Sequence, residues 1–388
     1  MKIVLTQTGS LGDCLLTTTI ARQIKEIDYP GCHLTWVIGE RYKEVLDNNP
    51  HVDDVIVLPM HPSISLRYGV RAYVDELKRE GKCFDQTMVL DLDAKNAPLV
   101  WGTCRSIYFR IYQEIYGHRV SVSPEPVICL RDNEVERVNT FCFNHKIDDS
   151  NAYPILIEYS PASGQSMMDK DTALALAKKI VEKYPHVKCI LSSKDHIKST
   201  SGQIIDGSVL SYRENAELLN HCKLLIGSNS GITWLNASTW SKKIPMIQDV
   251  MADFTDNNSD ISFSVEMDCK CVGAPTKNLI ELHSPTLDEL YTCVCAVIDS
   301  SFDEVKSKYV EIETSVTEYM YRFYESKNKL NVMGSGSNKP LSQSSVFPAY
   351  AKLKVYLFNL IPLLTLRQKR GQINIKLFGI PFLKIKGK

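Results

Sequence analysis

The chain has 388 residues, 44% of them apolar, and its 45 Lys and Arg balance its 45 Asp and Glu. That is apolar matter enough for two ordinary domains, and a chain with no net charge lacks the basic body that a nucleic-acid partner requires. Twelve cysteines are scattered along it and no signal peptide precedes the first apolar run, a pattern expected of a reducing cytosol and not of a disulfide scaffold.

The opening stretch, MKIVLTQTGSLGDCLLTTTI, organises the reading. An apolar run, Ile3-Val4-Leu5, breaks at Gly9-Ser10-Leu11-Gly12, and a helical pattern resumes at Asp13 through Leu15, Leu16 and Ile20. Glycines let a backbone turn sharply and approach a ligand, while the free N–H groups of a helix start favour anions. The loop suits phosphate or sugar chemistry, with Asp13 placed to act on it. It reads equally as a plain strand-to-helix turn in which Asp13 stabilises the helix start. It is neither a GxGxxG fingerprint nor a Walker loop.

Further strands are expected over residues 34–38, 55–58 and 86–90, with a helix over 70–80. Such alternation predicts a parallel sheet with helices on both faces, whose ligands lie beyond the carboxyl ends of the strands, where Asp13 and Asp91 fall. Asp91-Leu92-Asp93 also spells D-x-D, two carboxylates able to hold a divalent cation against a diphosphate. A helix and connector over 131–153 lead to a second series: strand 155–158, loop 159–166, helix 171–184, strand 188–191, loop 192–201, strand 208–210, helix 215–222 and strand 224–226. This is a second Rossmann-like unit. Its last strand runs into Gly227-Ser228-Asn229-Ser230-Gly231, and a helix begins near Ile232. Free N–H groups and small hydroxyls there could receive a nucleotide diphosphate without a metal; the same Ser and Asn would also serve as ordinary helix caps.

Residues 286–302 and 305–324 read as terminal helices and 326–346 as a flexible linker. The domains are thus expected at 1–150 and 151–325, with a tail over 347–388. The pairs Cys269/Cys271 and Cys293/Cys295 lack the usual zinc spacing, so no metal is expected. Nine of the 45 basic groups lie in residues 345–388, which hold no Asp or Glu, leaving 36 basic against 45 acidic groups in the rest. An acidic body with a basic tail argues for an anionic surface as the tail's partner. The apolar stretch 355–366, interrupted by Asn359 and Pro362, is too short to span a bilayer but suits its interface. A β-hairpin or helix docked on the body is the alternative.

Residues 9–58 resemble family 9 glycosyltransferases, the bacterial heptosyltransferases of lipopolysaccharide synthesis. Gly9, Leu11, Gly12, Asp13, Thr17 and Thr18 match the G-x-L-G-D turn and the T-T-P-like segment, and Asn49-Pro50-His51-Val52-Asp53 matches NP-x-V-D. The resemblance implies α/β architecture of the GT-B type, two Rossmann-like domains facing across a cleft. It makes Asp13 the general base, sets Ser10, Leu11 and Asp91 on the acceptor side, and puts Gly12 against the donor. It also speaks against a metal at D-x-D, since that motif belongs to another glycosyltransferase class.

Gly227–Leu235 resembles the family's donor segment, G-x-D-S/T-G-x-x-H-L, with Asn229 for its Asp and Trp234 for its His; Ser230 and Gly231 are retained. S-N-S-G-x-T-W-L is closer to the version in protein O-heptosyltransferases. The phosphate loop corresponds to Ser160, Ser163, Gly164 and Gln165, where Gln165 stands in place of a lysine, which a nearby Lys170 or Lys194 could replace. Asp195 falls at the ribose contact and Leu210 near the base pocket. The implied function is an inverting, metal-independent transfer of a sugar, heptose from ADP-heptose being favoured, to a bacterial surface glycan at the cytoplasmic face of the inner membrane. No cofactor beyond this nucleotide-sugar co-substrate is implied. The alternatives are a non-catalytic nucleotide-sugar or glycan-binding relative and a protein O-heptosyltransferase.

Overall fold

The computed structural model describes residues 1–58, 66–91, 102–103, 105–159, 168–197, 201–250, 254–256, 259–262, 264–308, 352–357, 361–369, 372–377 and 380–386. The chain divides into two compact units, Met1–Glu313 and Thr314–Lys388.

The first unit begins with β1 (Lys2–Thr6), whose Ile3 and Leu5 enter one apolar cluster and whose Val4 enters another. A strand covered on both faces needs apolar residues at both parities, as in any parallel sheet flanked by helices. It leads into α1 (Leu11–Gln23), continued by a wider turn over Ile24–Asp28. Then follow β2 (His33–Gly39), β3 (Asp54–Leu58), α2 (Leu66–Arg79) and β4 (Gln86–Val89). The four strands pair in parallel in the order β3-β2-β1-β4. Val74 and Leu77 of α2 close the face that carries Val4, Val37 and Leu58.

After β5 (Gly102–Thr103), α3 (Ile107–Tyr116) and α4 (Asp132–His145), a second series runs β6 (Tyr153–Glu158), α5 (Lys170–Lys183), β7 (Val187–Ser192), β8 (Ile204–Asp206), α6 (Glu214–His221), β9 (Leu224–Gly227), α7 (Gly231–Asn236) and β10 (Met246–Val250). It ends with β11 (Phe254–Asp256), β12 (Ser259–Ser262), α8 (Val265–Val272), β13 (Leu279–His283) and α9 (Leu287–Asp299). Six of these strands form a parallel sheet in the order β13-β10-β9-β6-β7-β8. β5 pairs with β12 beside β11, so a strand from the first half completes a small sheet with two from the second.

One apolar cluster runs through both halves, from Ile3, Leu15 and Trp36 to Leu156, Trp234 and Leu235, and α1 packs on α7. A second cluster lies on the other face of the six-stranded sheet, where Ile155 and Ile157 meet α5 and α9. The strand expected over 208–210 is a turn instead. Asp206 accepts hydrogen bonds from the backbone N (3.0 Å) and hydroxyl (2.6 Å) of Ser208, an Asx turn that ends β8 two residues earlier. The first terminal helix is α9; residues 302–308 are also helical, and the remainder of the second expected helix, with the 326–346 linker, lies outside the described residues.

In the second unit β14 (Lys352–Leu357), β15 (Ile361–Lys369), β16 (Gln372–Leu377) and β17 (Ile380–Lys386) form an antiparallel meander. The register pairs Leu353 with Leu366 and Ile375 with Leu383, and, at alternate positions, Lys352 with Arg367 and Asn374 with Lys384. Apolar and basic residues thus occupy opposite parities. Period-two alternation is the pattern of a strand. No described helix is long and apolar enough to cross a membrane.

Arg213, 2% exposed, ties the parts of the first unit together. Its Nε and Nη2 donate to the two carboxylate oxygens of Glu134 (2.7 and 2.9 Å), Nη1 donates to the carbonyl of Glu44 (2.8 Å), and Nη2 also donates to that of Cys129 (2.6 Å). Removing one partner of such a buried pair leaves an uncompensated charge, so Arg213→Met is expected to lower the unfolding free energy by about 3–5 kcal/mol in urea titration. Arg213→Lys should recover only part of this, because an ammonium cannot form the two-pronged pair.

Candidate functional site

The loop after β1 turns into α1 with Ser10 as its N-cap. The carboxylate Oδ2 of Asp13 accepts from the backbone N (3.2 Å) and hydroxyl (3.0 Å) of Ser10, the return half of a capping box. Asp13 therefore stabilises the helix start, yet its other oxygen points elsewhere. Oδ1 accepts from Nη1 of Arg105 at 2.5 Å, and the side chains of Arg105 and Asp13 are 3% and 13% exposed.

Arg105 precedes α3 and belongs to no motif the sequence displays. Its Nε donates to Oδ1 of Asn229 (2.9 Å) and its Nη2 to the carbonyl of the same residue (2.8 Å). Asn229 Nδ2 donates to Oδ2 of Asp268 (2.8 Å), whose Oδ1 accepts from the backbone N of Arg105 (3.1 Å) and of Ser106 (2.8 Å). Trp234 Nε1 donates to Asn229 Oδ1 (3.0 Å). Asp13, Arg105, Asn229, Trp234 and Asp268 thus form one buried network across the first and second halves of the unit. Gly12 makes room for it: a Cβ there would stand 2.7 Å from Nη1 of Arg105. Gly231 is constrained alike, since a Cβ would meet the Tyr212 ring at 2.7 Å.

Beneath the Asn229–Gly231 turn, the Ser230 hydroxyl donates to Oε2 of Glu158, the last residue of β6. Burial pushes the Glu158 carboxyl up to about 7 from its usual 4.5, against the pull of the Ser230 hydroxyl and the charge of Arg105. Glu158 was visible in the sequence as the polar end of the apolar run Ile155-Leu156-Ile157, at the edge where ligands of such sheets bind. Arg105 and Asp268 left no comparable signal.

The structure brings Ser10, Gly12, Asp13, Asn229, Ser230, Gly231 and Trp234 into one neighbourhood. Leu11 packs, half-buried, on the cluster shared by both halves. Asp91 is buried and accepts from Thr6 Oγ1 (2.6 Å) and the Thr8 backbone N (2.8 Å), so its carboxylate fastens the strand end that carries the glycine loop. Asp93 lies outside the described residues, as do Ser160, Ser163, Gly164 and Gln165. Leu210 is buried in the shared cluster with Trp234. Asp195 is exposed, and its carbonyl accepts from the Tyr159 hydroxyl (2.8 Å). Lys170 donates to the His196 carbonyl (2.7 Å), and Lys194 is exposed. Neither C-x-C pair belongs to a ligand cluster among the described residues; Cys142, Asp148 and His221 do approach within 4.8 Å of one another, with His221 Nδ1 2.8 Å from Asp148.

No protein-family model and no curated protein matches the sequence. Solved structures do match. The family 9 glycosyl transferase from Veillonella parvula aligns with a TM-score of 0.52 at 15% identity, over 82% of this chain and 97% of its own. The E. coli ADP-heptose LPS heptosyltransferase II aligns at 0.49 and 15% identity, over 77% of this chain and 98% of its own. The E. coli heptosyltransferase WaaC with ADP gives 0.46 and 11%, with the same coverage. The chain has an α/β fold of the GT-B type, shared with the Veillonella parvula family 9 glycosyl transferase.

Two outcomes are expected. Asn229→Asp would set a carboxylate against Asp268 at about the present 2.8 Å separation, losing a donor and adding a buried like charge, and should lower the urea midpoint by the equivalent of about 2–4 kcal/mol. For Glu158, the folded state holds a proton that the unfolded state releases near 4.5, so its stabilising contribution is full below 4.5 and is lost as pH rises through about 7. Glu158→Gln should therefore flatten stability against pH between 4.5 and 7, where wild type falls by up to about 1.4 kcal/mol per pH unit from this group.

Proposed function

We propose that this protein is an inverting glycosyltransferase that moves a sugar, heptose first among candidates, from a nucleoside-diphosphate sugar to a hydroxyl of a bacterial surface glycan. The observation that carries the reading is the meeting of Asp13, at the start of α1, with the Asn229–Gly231 turn at the end of β9, within a fold shared with a family 9 glycosyltransferase. One side offers a carboxylate and the other a turn of small polar residues. That is the division of labour needed between an acceptor hydroxyl and a nucleotide diphosphate.

In the reaction the acceptor oxygen forms its bond to the anomeric carbon while the bond from that carbon to the β-phosphate oxygen breaks. The acceptor's proton passes to Asp13, and the electron pair of the broken bond leaves with the nucleoside diphosphate. Ser10 steadies the carboxylate through Oδ2, and Oδ1, which now accepts from Arg105 Nη1, is the oxygen that would take the proton once that bond opens. The resemblance of the Gly9–Asp13 turn and of the Gly227–Leu235 segment to heptosyltransferases makes an adenine nucleotide the first donor to try. The reading extends to the place of work. The 345–388 tail, with nine basic groups and no acid, would hold the enzyme to anionic lipid at the cytoplasmic face of the inner membrane.

A second reading has an observation in its favour. Both oxygens of Asp13 already hold hydrogen bonds, one of them charge-assisted, as in a binding protein of this fold that no longer transfers sugar. Incubation of the full chain with ADP-heptose and other nucleotide sugars separates the two. Transfer or slow donor hydrolysis, unchanged by EDTA and reduced about 10²–10⁴-fold in Asp13→Asn, is the expected result. Donor binding with neither reaction would select the binding protein, and wild-type turnover in Asp13→Asn would rule out Asp13 as the base.

A further inference from the structure

The departing nucleoside diphosphate needs positive charge, and the loop over 160–165, Ser-Pro-Ala-Ser-Gly-Gln, contains no Lys, Arg or His. The buried network around Asn229 holds a cation instead. We infer that Arg105 is the cation that receives the diphosphate, and that before the donor binds it is parked on Asp13. The inference rests on the glycosyltransferase reading and assigns one of its missing parts.

The geometry of the guanidinium carries it. Nε and Nη2 are both fastened to Asn229, through Oδ1 and through the carbonyl. Asn229 is itself fixed by Asp268 and Trp234, and the backbone of Arg105 is fixed by Asp268. The fork is therefore anchored on the side of the Asn229–Gly231 turn, and Nη1 is the nitrogen that reaches across to Asp13. A reacting carbon must stand between the base and the diphosphate, in the space that the Nη1–Oδ1 contact now closes. Entry of the donor therefore opens that contact. It exchanges one anionic partner of Nη1, the carboxylate, for another, a phosphate oxygen, and the buried positive charge is never left alone. The exchange also clears Oδ1 for the acceptor's proton. Gly12 permits this arrangement because its missing Cβ leaves the guanidinium a place against the start of α1.

The test uses the full chain and two ligands that differ by one phosphate. The diphosphate that binds wild type best among ADP, UDP, GDP and CDP is titrated by calorimetry, and the matching monophosphate is measured by competition against it. Arg105→Gln is expected to weaken the diphosphate about 10–100-fold, the size of a charge-assisted hydrogen bond, and to change the monophosphate much less. Arg105→Lys should restore part of the difference. Asp13→Asn, which removes the competing anion, should tighten the diphosphate several-fold, roughly 3–10-fold, an effect that a merely structural arginine does not produce. Equal weakening of both ligands in Arg105→Gln, or an Asp13→Asn that binds the diphosphate no better than wild type, would overturn the assignment while leaving the glycosyltransferase reading in place. Failure of every diphosphate to bind wild type would overturn both.

Discussion

The contact between Arg105 and Asn229 sets the terms for the rest of the site. A guanidinium only 3% exposed has lost most of its hydration, and that loss is tolerable only when its N–H groups meet acceptors in good geometry. Here two carboxylates, Asp13 and Asp268, lie within one hydrogen bond of Arg105, one on its side chain and one on its backbone. Position 229 completes the set with a neutral amide, which accepts from Arg105 and Trp234 through one atom and donates to Asp268 through another. A carboxylate at 229 could do the first and not the second. Asn229 and Trp234, the two positions at which this segment differs from the heptosyltransferase pattern it resembles, are thus one device, since the indole N–H of the second is bonded to the amide oxygen of the first.

A second buried arginine works differently. Arg213 binds Glu134 with both prongs and collects carbonyls from Glu44 and Cys129, so each N–H group it offers is committed to holding the turn after β2, the start of α4 and the start of α6 in register. Arg105 instead spends two nitrogens on one residue and extends the third toward another element. The first pattern is a tie and the second is a reach, and only a reach can change partners without dismantling the fold.

Much of this was legible in the chain. The two alternating series are there because strands covered on both faces must be apolar at both parities, as Ile3-Val4-Leu5 and Ile155-Leu156-Ile157 are, and because the glycine loop marks the passage from β1 to α1. The 208–210 segment misled because its apolar residues, Val209 and Leu210, follow Ser208, whose hydrogen bonds to Asp206 had already closed a turn. Asp91 stood at a strand end where a ligand group would also stand, and its bonds to Thr6 and Thr8 depend on a loop whose path no local pattern records. Arg105 is the plainest case. An arginine between a cysteine and a serine carries no periodicity and no cap, and its importance comes from residues 92 and 124 positions away along the chain.

Glu158 gives the site its last constraint. With Glu158 ionised, the Ser230 hydroxyl donates to its Oε2 beneath the turn. If Glu158 holds the proton, the bond reverses. The carboxyl donates to the Ser230 oxygen, and the hydroxyl hydrogen is released from Glu158. Burial raises that carboxyl to about 7, because the charged form there has lost its hydration.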